Sequence, residues 1–357
     1  MTVLRATSID ELASAIPTRD RWAVRGAGTK PGLACRPDAA VLDLSRLTGI
    51  VEYTPEECTF TALGGTPILE IERTLAPHGQ YLPFDPPLAQ AGATIGGTVA
   101  AGVNGSCRYR FGGIRDFLIG ARIVDGQGRV VYSGGKVVKN AAGFLLHQAM
   151  VGSCGRLGVV AEVTFKVFPS PVVRATVRVE TSDIVAGLSL MTAIQRQPFD
   201  LEAIDLAPPG LLTLRIGGAA EAIEVRAEAL AHALGRNAHI LRGDDDAAVW
   251  REARELTWAD RGSALVRVPM AAGRVRALDE VLAAHDSSRR YAVAGNLAWI
   301  AWRPDLAELD DLLRRQALVG QVLIGETPRA FIGAASPNTF EERLRSVMDP
   351  NARFAGS

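Results

Sequence analysis

Most of the chemistry this sequence can do is carried by glycines. Arg25-Gly-Ala-Gly-Thr-Lys30 follows the strand-like Trp22-Ala-Val-Arg25, so its backbone N–H groups are free to converge on an anion. Glycine at 26 and 28 removes the Cβ atoms that would hold a phosphate away, and Thr29 and Lys30 add a hydroxyl and a positive charge. The turn is not a P-loop, because no Gly-Lys-Ser/Thr opens a long helix. It also lacks the third glycine and the long βαβ unit of the G-x-G-x-x-G dinucleotide fingerprint. A second cluster, Ala93-Thr-Ile-Gly-Gly-Thr-Val-Ala-Ala-Gly102, puts small residues on every side, and Asn104-Gly-Ser106 and Arg110-Phe-Gly112 continue it. Two such stretches, distant in sequence, predict an elongated pyrophosphate cofactor lying against bare backbone in a shared trough.

Other polar residues carry less. His147 lies in an apolar helical run and reads as a packed histidine rather than a base. Asp244-Asp-Asp246 lacks EF-hand spacing and reads as a solvated loop and helix N-cap. Lys139-Asn140, following Gly134-Gly135, suits a turn and cap as well as it suits a site. Arg108, Arg110 and Arg115 have the fork to hold a carboxylate, with surface ion pairing expected for at least two of them. Trp299 and Trp302 read as core or interface. The four cysteines (35, 58, 107 and 154) are too scattered for a metal or a cluster and are expected to be reduced thiols.

These groups must be positioned by ordinary globular elements. With 357 residues the chain exceeds one compact core, and 48% hydrophobic against 22% charged residues excludes disorder. Thirty-nine basic and 39 acidic side chains argue against a nucleic-acid binder or a coat for acidic membranes. No secretory leader and no apolar run of spanning length is visible, so a cytoplasmic protein is expected. Ser8-Ile-Asp-Glu11 is a capping box for a first helix, and residues 20–80 alternate short strands and helices. Asp125-Gly-Gln-Gly128 between two strand patterns predicts a hairpin. Past Pro169-Ser-Pro171 a strand–helix–strand rhythm predicts an α+β domain with an antiparallel sheet covered by helices.

The motif order resembles a known family. Arg25-Gly-x-Gly-Thr29, Gly64-Gly-Thr-Pro-Ile68, Gln80-Tyr-Leu-Pro-Phe-Asp-Pro86, Ala93-Thr-Ile-Gly-Gly-Thr98 and Arg115-Asp-Phe-Leu-Ile-Gly120 look like the vanillyl-alcohol oxidase/PCMH-type FAD-binding domain. Gly134-Gly-Lys-Val-Val-Lys-Asn-Ala-Ala-Gly143, Gly152-Ser-Cys-Gly-Arg-Leu-Gly-Val159 and Met348-Asp-Pro-Asn-Ala-Arg-Phe354 are most similar to the FAD-binding subunit of bacterial glycolate oxidase.

That resemblance implies an α+β fold with a two-lobed PCMH-type FAD-binding domain over 1–170. An α+β cap or substrate domain with an antiparallel sheet would follow over 171–335, and a tail over 336–357 would return to the FAD domain. Gly26, Ala27, Gly28, Thr29 and Lys30 would form the pyrophosphate loop, with Arg25 also cofactor-binding. Gly92, Thr94, Gly96, Gly97 and Thr98 would line the phosphates and ribityl chain, Asn104, Gly105 and Ser106 would lie near the flavin, and Val160 near the adenine, with Pro83 and Gly102 also among the cofactor-binding residues. The FAD would be non-covalent, since Gly28-Thr29-Lys30 stands where covalent members carry a histidine. No metal is implied. The implied activity is hydride transfer from a small 2-hydroxy acid to flavin. The implied partners are a catalytic flavoprotein subunit and an iron–sulfur subunit, and through them the chain would sit peripherally at the inner membrane. The departures are Phe144, Leu145 and Gln148 where the family has tyrosine, aspartate and arginine, and Gly325-Glu-Thr-Pro-Arg329 where it has histidine. They leave a non-catalytic scaffolding subunit as the alternative.

Overall fold

The computed structural model describes residues 2–33, 38–135, 145–285, 287–334 and 339–354. The architecture is α+β, with the strands among these residues forming four sheets. A parallel sheet runs Val3–Arg5, Ala40–Asp43, Trp22–Arg25. Its first connection is the helix Ile9–Ala15, capped by Ser8, whose hydroxyl accepts the Glu11 N–H at 3.1 Å, while Ile9 and Leu12 face the core. Glu11 reaches back to the N–H of Thr7, at 2.8 Å, and so closes the turn one residue earlier than the sequence motif suggests. Phe354 forms a parallel bridge to Trp22, whose N–H donates to the Arg353 carbonyl at 2.7 Å. The Arg353 guanidinium then donates to the carbonyls of Gly126 (2.8 Å), Arg19 (3.1 Å) and Pro17 (3.4 Å).

An antiparallel sheet follows, ordered Ile50–Thr54, Thr59–Leu63, Val159–Lys166, Leu118–Val124, Val130–Gly134. The predicted hairpin is its outer pair. The Asp125 carboxylate, fully buried in that turn, accepts the N–H groups of Gln127 and Arg129, both at 2.9 Å. Phe60, Phe84 and Phe165 stack at 5.5–5.8 Å between centroids beneath the sheet.

The third large unit is an antiparallel sheet of nine strands among the described residues. It starts at Ala238–Arg242 and Val173–Glu180, passes through Ser287–Ala292, Leu297–Trp302, Ala264–Pro269 and Val319–Ile324, and ends at Phe331–Gly333. Period-2 alternation divides its faces. Val266, Val268, Ala298, Ile300 and Val322 bury against the helices, whereas Leu265, Leu297, Trp299 and Leu323 join the core of the N-terminal half. Trp299 and Trp302, three residues apart, therefore serve opposite faces, and both are buried. Among the described residues, no helix is long and apolar enough to cross a membrane.

Candidate functional site

A cleft of about 550 Å³ opens where the parallel sheet meets the five-stranded one. One wall is the turn after Trp22–Arg25, namely Arg25, Gly26, Ala27, Gly28, Thr29 and Lys30, joined by Asp43, Leu44 and Ser45 from the adjacent strand end. The opposite wall is Thr94, Gly96, Gly97, Ala100 and Ala101, with Cys154, Gly155, Gly158 and Val160 closing it. Thr94 caps the helix Ile95–Ala101 by accepting the Gly97 N–H on Oγ1 at 3.2 Å. Contact demands glycine along the cleft walls, most tightly at two positions. A Cβ on Gly26 would fall 2.3 Å from Thr94 Oγ1, and one on Gly96 would fall 2.7 Å from the Gly64 carbonyl oxygen. Both distances are below van der Waals contact: the first sets the two glycine stretches against each other, and the second seats Gly96 on the Gly64 backbone. Gly28 also holds φ +73°, a conformation open to it for lack of a Cβ.

The electrostatics of the cleft are uneven. Arg25 is paired with Asp43 at 2.9 Å. Lys30 is 9% exposed, and its Nζ donates to Thr29 Oγ1 at 3.1 Å. Among the described residues no carboxylate pairs with that ammonium, and burial pushes its pKa from 10.5 down to about 8. A cleft of this volume, walled by bare backbone and holding a buried cation, fits a ligand with an anionic centre.

Of the residues predicted for the cofactor, Arg25 through Lys30, Thr94, Gly96, Gly97 and Val160 line this cleft. The others lie outside its lining. Thr98 Oγ1 donates to the Thr94 carbonyl at 2.9 Å, and Gly102 ends the helix with φ +65°. Asn104 Oδ1 accepts the Ile114 N–H, and its Nδ2 donates to the Gly102 carbonyl at 3.2 Å. Ser106 Oγ donates to Asp205 Oδ2 at 2.6 Å. Gly105 packs on Asp85, Gly92 closes a turn onto the Ala89 carbonyl, and Pro83 is buried in the turn before Phe84. Sequence reasoning missed Asp43, Leu44, Ser45 and Cys154. The strand pattern Val41-Leu-Asp-Leu44 was the available signal, because a parallel neighbour of the glycine-turn strand ends at the same rim.

Two expectations need correction. Asp246 is no solvated loop residue: it sits in the first turn of the helix Gly243–Glu255, 4% exposed, and binds Arg215 at 2.6 Å and Thr176 at 2.6 Å. Ion pairing was expected for at least two of Arg108, Arg110 and Arg115; Arg110 meets Asp200, but Arg108 and Arg115 form no ion pair with described residues, Arg115 Nε donating to Gln148 at 3.4 Å. His147 is buried with Nδ1 2.9 Å from Ser133 Oγ, as a packed histidine should be. Cys58, Cys107 and Cys154 are free thiols, and no His/Cys/Asp/Glu group suited to a metal occurs among the described residues. Cys35, Lys139, Asn140 and Phe144 lie outside the described residues. A second cleft of about 460 Å³ lies between Tyr81, Trp250 and Arg254, where Arg174, Arg215 and Arg254 each meet a carboxylate.

The glycine-walled cleft with its buried ammonium lies in a protein that binds FAD: residues 2–134 match the family described as the FAD binding domain, and FAD is the cofactor. Among particular proteins, the chain is similar to glycolate oxidase subunit GlcE of Escherichia coli. The two are 37% identical over 196 residues, 55% of this chain and 56% of that protein. It is 32% identical to glycolate oxidase subunit GlcD of Bacillus subtilis over 195 residues, 53% of this chain and 41% of that one. The chain thus spans about half the length of the curated relatives it matches. Among solved structures, alkyldihydroxyacetonephosphate synthase shares the fold with a TM-score of 0.69 at 14% identity, covering 98% of this chain and 74% of its own.

Proposed function

We propose that this chain is the FAD-binding subunit of a 2-hydroxy-acid oxidase or dehydrogenase complex of the glycolate type. The observation that carries the reading is Lys30, a buried ammonium with no carboxylate partner among the described residues, facing a cleft whose walls are two glycine stretches. In this reading Gly26 to Lys30 hold the pyrophosphate, with Thr94, Gly96 and Gly97 as the opposite wall and Val160 toward the adenine. Non-covalently bound FAD would supply hydride acceptance from the α-carbon of the acid, or electron relay. The chain's own residues bind and orient. Lys30 neutralises phosphate charge, the Arg25–Asp43 pair fixes the loop, and the bare backbone lets the dinucleotide lie close while water is excluded. The proposed partners are a catalytic flavoprotein subunit and an iron–sulfur subunit, with residues 171–335 as the cap and the tail closing the FAD domain. Similarity to subunits GlcE and GlcD supports this reading.

A second reading, a scaffolding subunit without its own chemistry, is favoured by one observation: among the described residues the lining of the cleft holds no histidine, and its carboxylate, Asp43, is committed to Arg25. Visible spectra and anaerobic mixing decide between them. Purified chain should be yellow or take up FAD, and a chain that does neither removes the cofactor role. Bleaching by glycolate or D-lactate in the isolated chain supports self-sufficient chemistry, bleaching only with the partner subunits supports the relay, and none in either case leaves the scaffold.

A further inference from the structure

The sheet face that covers the FAD-binding half carries two polar residues in an apolar setting. Leu265, Trp299 and Leu323 belong to that face. Arg267 lies between them, in register with Trp299 on one neighbouring strand and Gln321 on the other. It is 7% exposed, its Nη1 donates to Gln321 Oε1 at 3.2 Å, and its Nε is buried with no partner. Gln321 turns its own Nε2 to the Ala101 carbonyl at 2.9 Å and to Cys154 Sγ at 3.5 Å, both in the cleft wall. Arg267 is therefore one side chain removed from the FAD cleft.

Four half-buried arginines here have a counter-charge: Arg174 has Glu202, Arg215 has Asp246, Arg254 has Glu72 and Arg289 has Asp279. Among the described residues Arg267 has none. Its charged neighbour is another arginine, Arg108 of the helix Arg108–Phe111, itself without an ion pair among those residues. Burial, then the repulsion from Arg108, drives the Arg267 guanidinium from 12.5 down to about 10. An unpaired buried cation is costly, and the like charge of Arg108 makes the cost greater. An arriving anion reverses both terms.

We propose that Arg267, its charge reinforced by that of Arg108, forms an anion site beside the FAD cleft that takes the carboxylate of a small organic acid, Arg267 supplying the planar fork. The fork of guanidinium donors matches two carboxylate oxygens. This deepens the proposed function and rests on it for the identity of the acid, since a 2-hydroxy acid brings such a carboxylate. The anion site itself stands on the two arginines.

The test is calorimetric and spectral titration of the FAD-loaded full chain with oxalate, an unreactive carboxylate, alongside glycolate under anaerobic conditions. Wild-type chain should bind oxalate. Arg267→Met should weaken that binding about 100-fold and Arg267→Lys should restore part of it. The denaturation midpoint of ligand-free Arg267→Met should rise, because an unpaired charge has left the interior. A structural arginine would instead lower it. No oxalate binding by the wild type, or equal binding by Arg267→Met, overturns the site. Equal binding together with a lowered flavin midpoint potential also overturns it and assigns the charge to the flavin. If Arg267-dependent oxalate binding occurs while glycolate and D-lactate never bleach the flavin, even with partner subunits, the site stands and the activity reading fails.

Discussion

Replacing Lys30 with methionine removes a buried ammonium while keeping most of the side chain's length and apolar volume. The fall in pKa from 10.5 to about 8 amounts, at about 1.4 kcal/mol per tenfold, to about 3 kcal/mol against the charged form in the ligand-free protein. Because the folded value lies below the unfolded one, the full cost is present below about pH 8, where both states hold the proton. Between about 8 and 10.5 the folded state sheds its proton first and the cost shrinks, and above that range it is gone. Ligand-free Lys30→Met should therefore be more stable than wild type by up to about 3 kcal/mol at pH 7, with the gap closing by about pH 10.5. With the pyrophosphate at Lys30, as proposed, FAD should reverse the ranking, since its charge would compensate the ammonium. The variant should bind FAD about 100-fold more weakly at pH 7. Wild-type affinity should fall as pH climbs past 8, while that of the variant stays level. Urea denaturation without ligand at pH 7 and 10, with fluorescence titration of FAD, measures all of this. A ligand-free variant less stable than wild type at pH 7, or one that binds FAD equally well, would refute the reasoning.

Three further outcomes are expected. Gly96→Val drives a side chain into the Gly64 backbone, so FAD should be lost and the N-terminal half destabilised by about 3 kcal/mol, while hydrogen exchange should show the nine-stranded sheet still protected. Burial pushes the Asp205 carboxyl from 3.8 up to about 6 against the hydrogen bond from Ser106, so the folded value exceeds the unfolded one. The cost is absent below about pH 4 and complete above about 6, and Asp205→Asn should gain up to about 3 kcal/mol in urea melts at pH 7.5 and little at pH 4. Arg353→Ala strips donors from the carbonyls of Pro17, Arg19 and Gly126 and should cost about 2 kcal/mol in a denaturant titration.

Much of the fold was legible because local signals agreed with tertiary placement. Ser8 announced the first helix, Asp125-Gly-Gln-Gly128 the hairpin, and Ile223, Ala227, Leu230 and Leu234 the face of Ala220–Leu234. The glycine stretches gave both cleft walls, because a residue without a side chain is informative wherever it recurs. Strands such as Leu201–Ala207 and Ser287–Ala292 escaped notice. The first carries Glu202 and Asp205, each paired with a residue far away in sequence, and the second carries Ser288, Arg289 and Arg290, so neither reads as an apolar run. Asp246 was misread for the same reason: its partners, Arg215 and Thr176, are 31 and 70 positions distant. Arg267 drew no attention, because that a cation goes unpaired is evident only once all its neighbours are known.

The Trp22–Phe354 bridge has a bearing on biosynthesis. Its two partners lie more than three hundred positions apart, so the parallel sheet beside the glycine turn waits, one edge unfinished, until that intervening chain has been added. Coenzyme loading should accordingly be post-translational, and ribosome-stalled chains lacking residues 349–354 should fail to retain flavin even though every cleft-lining residue has already been synthesised.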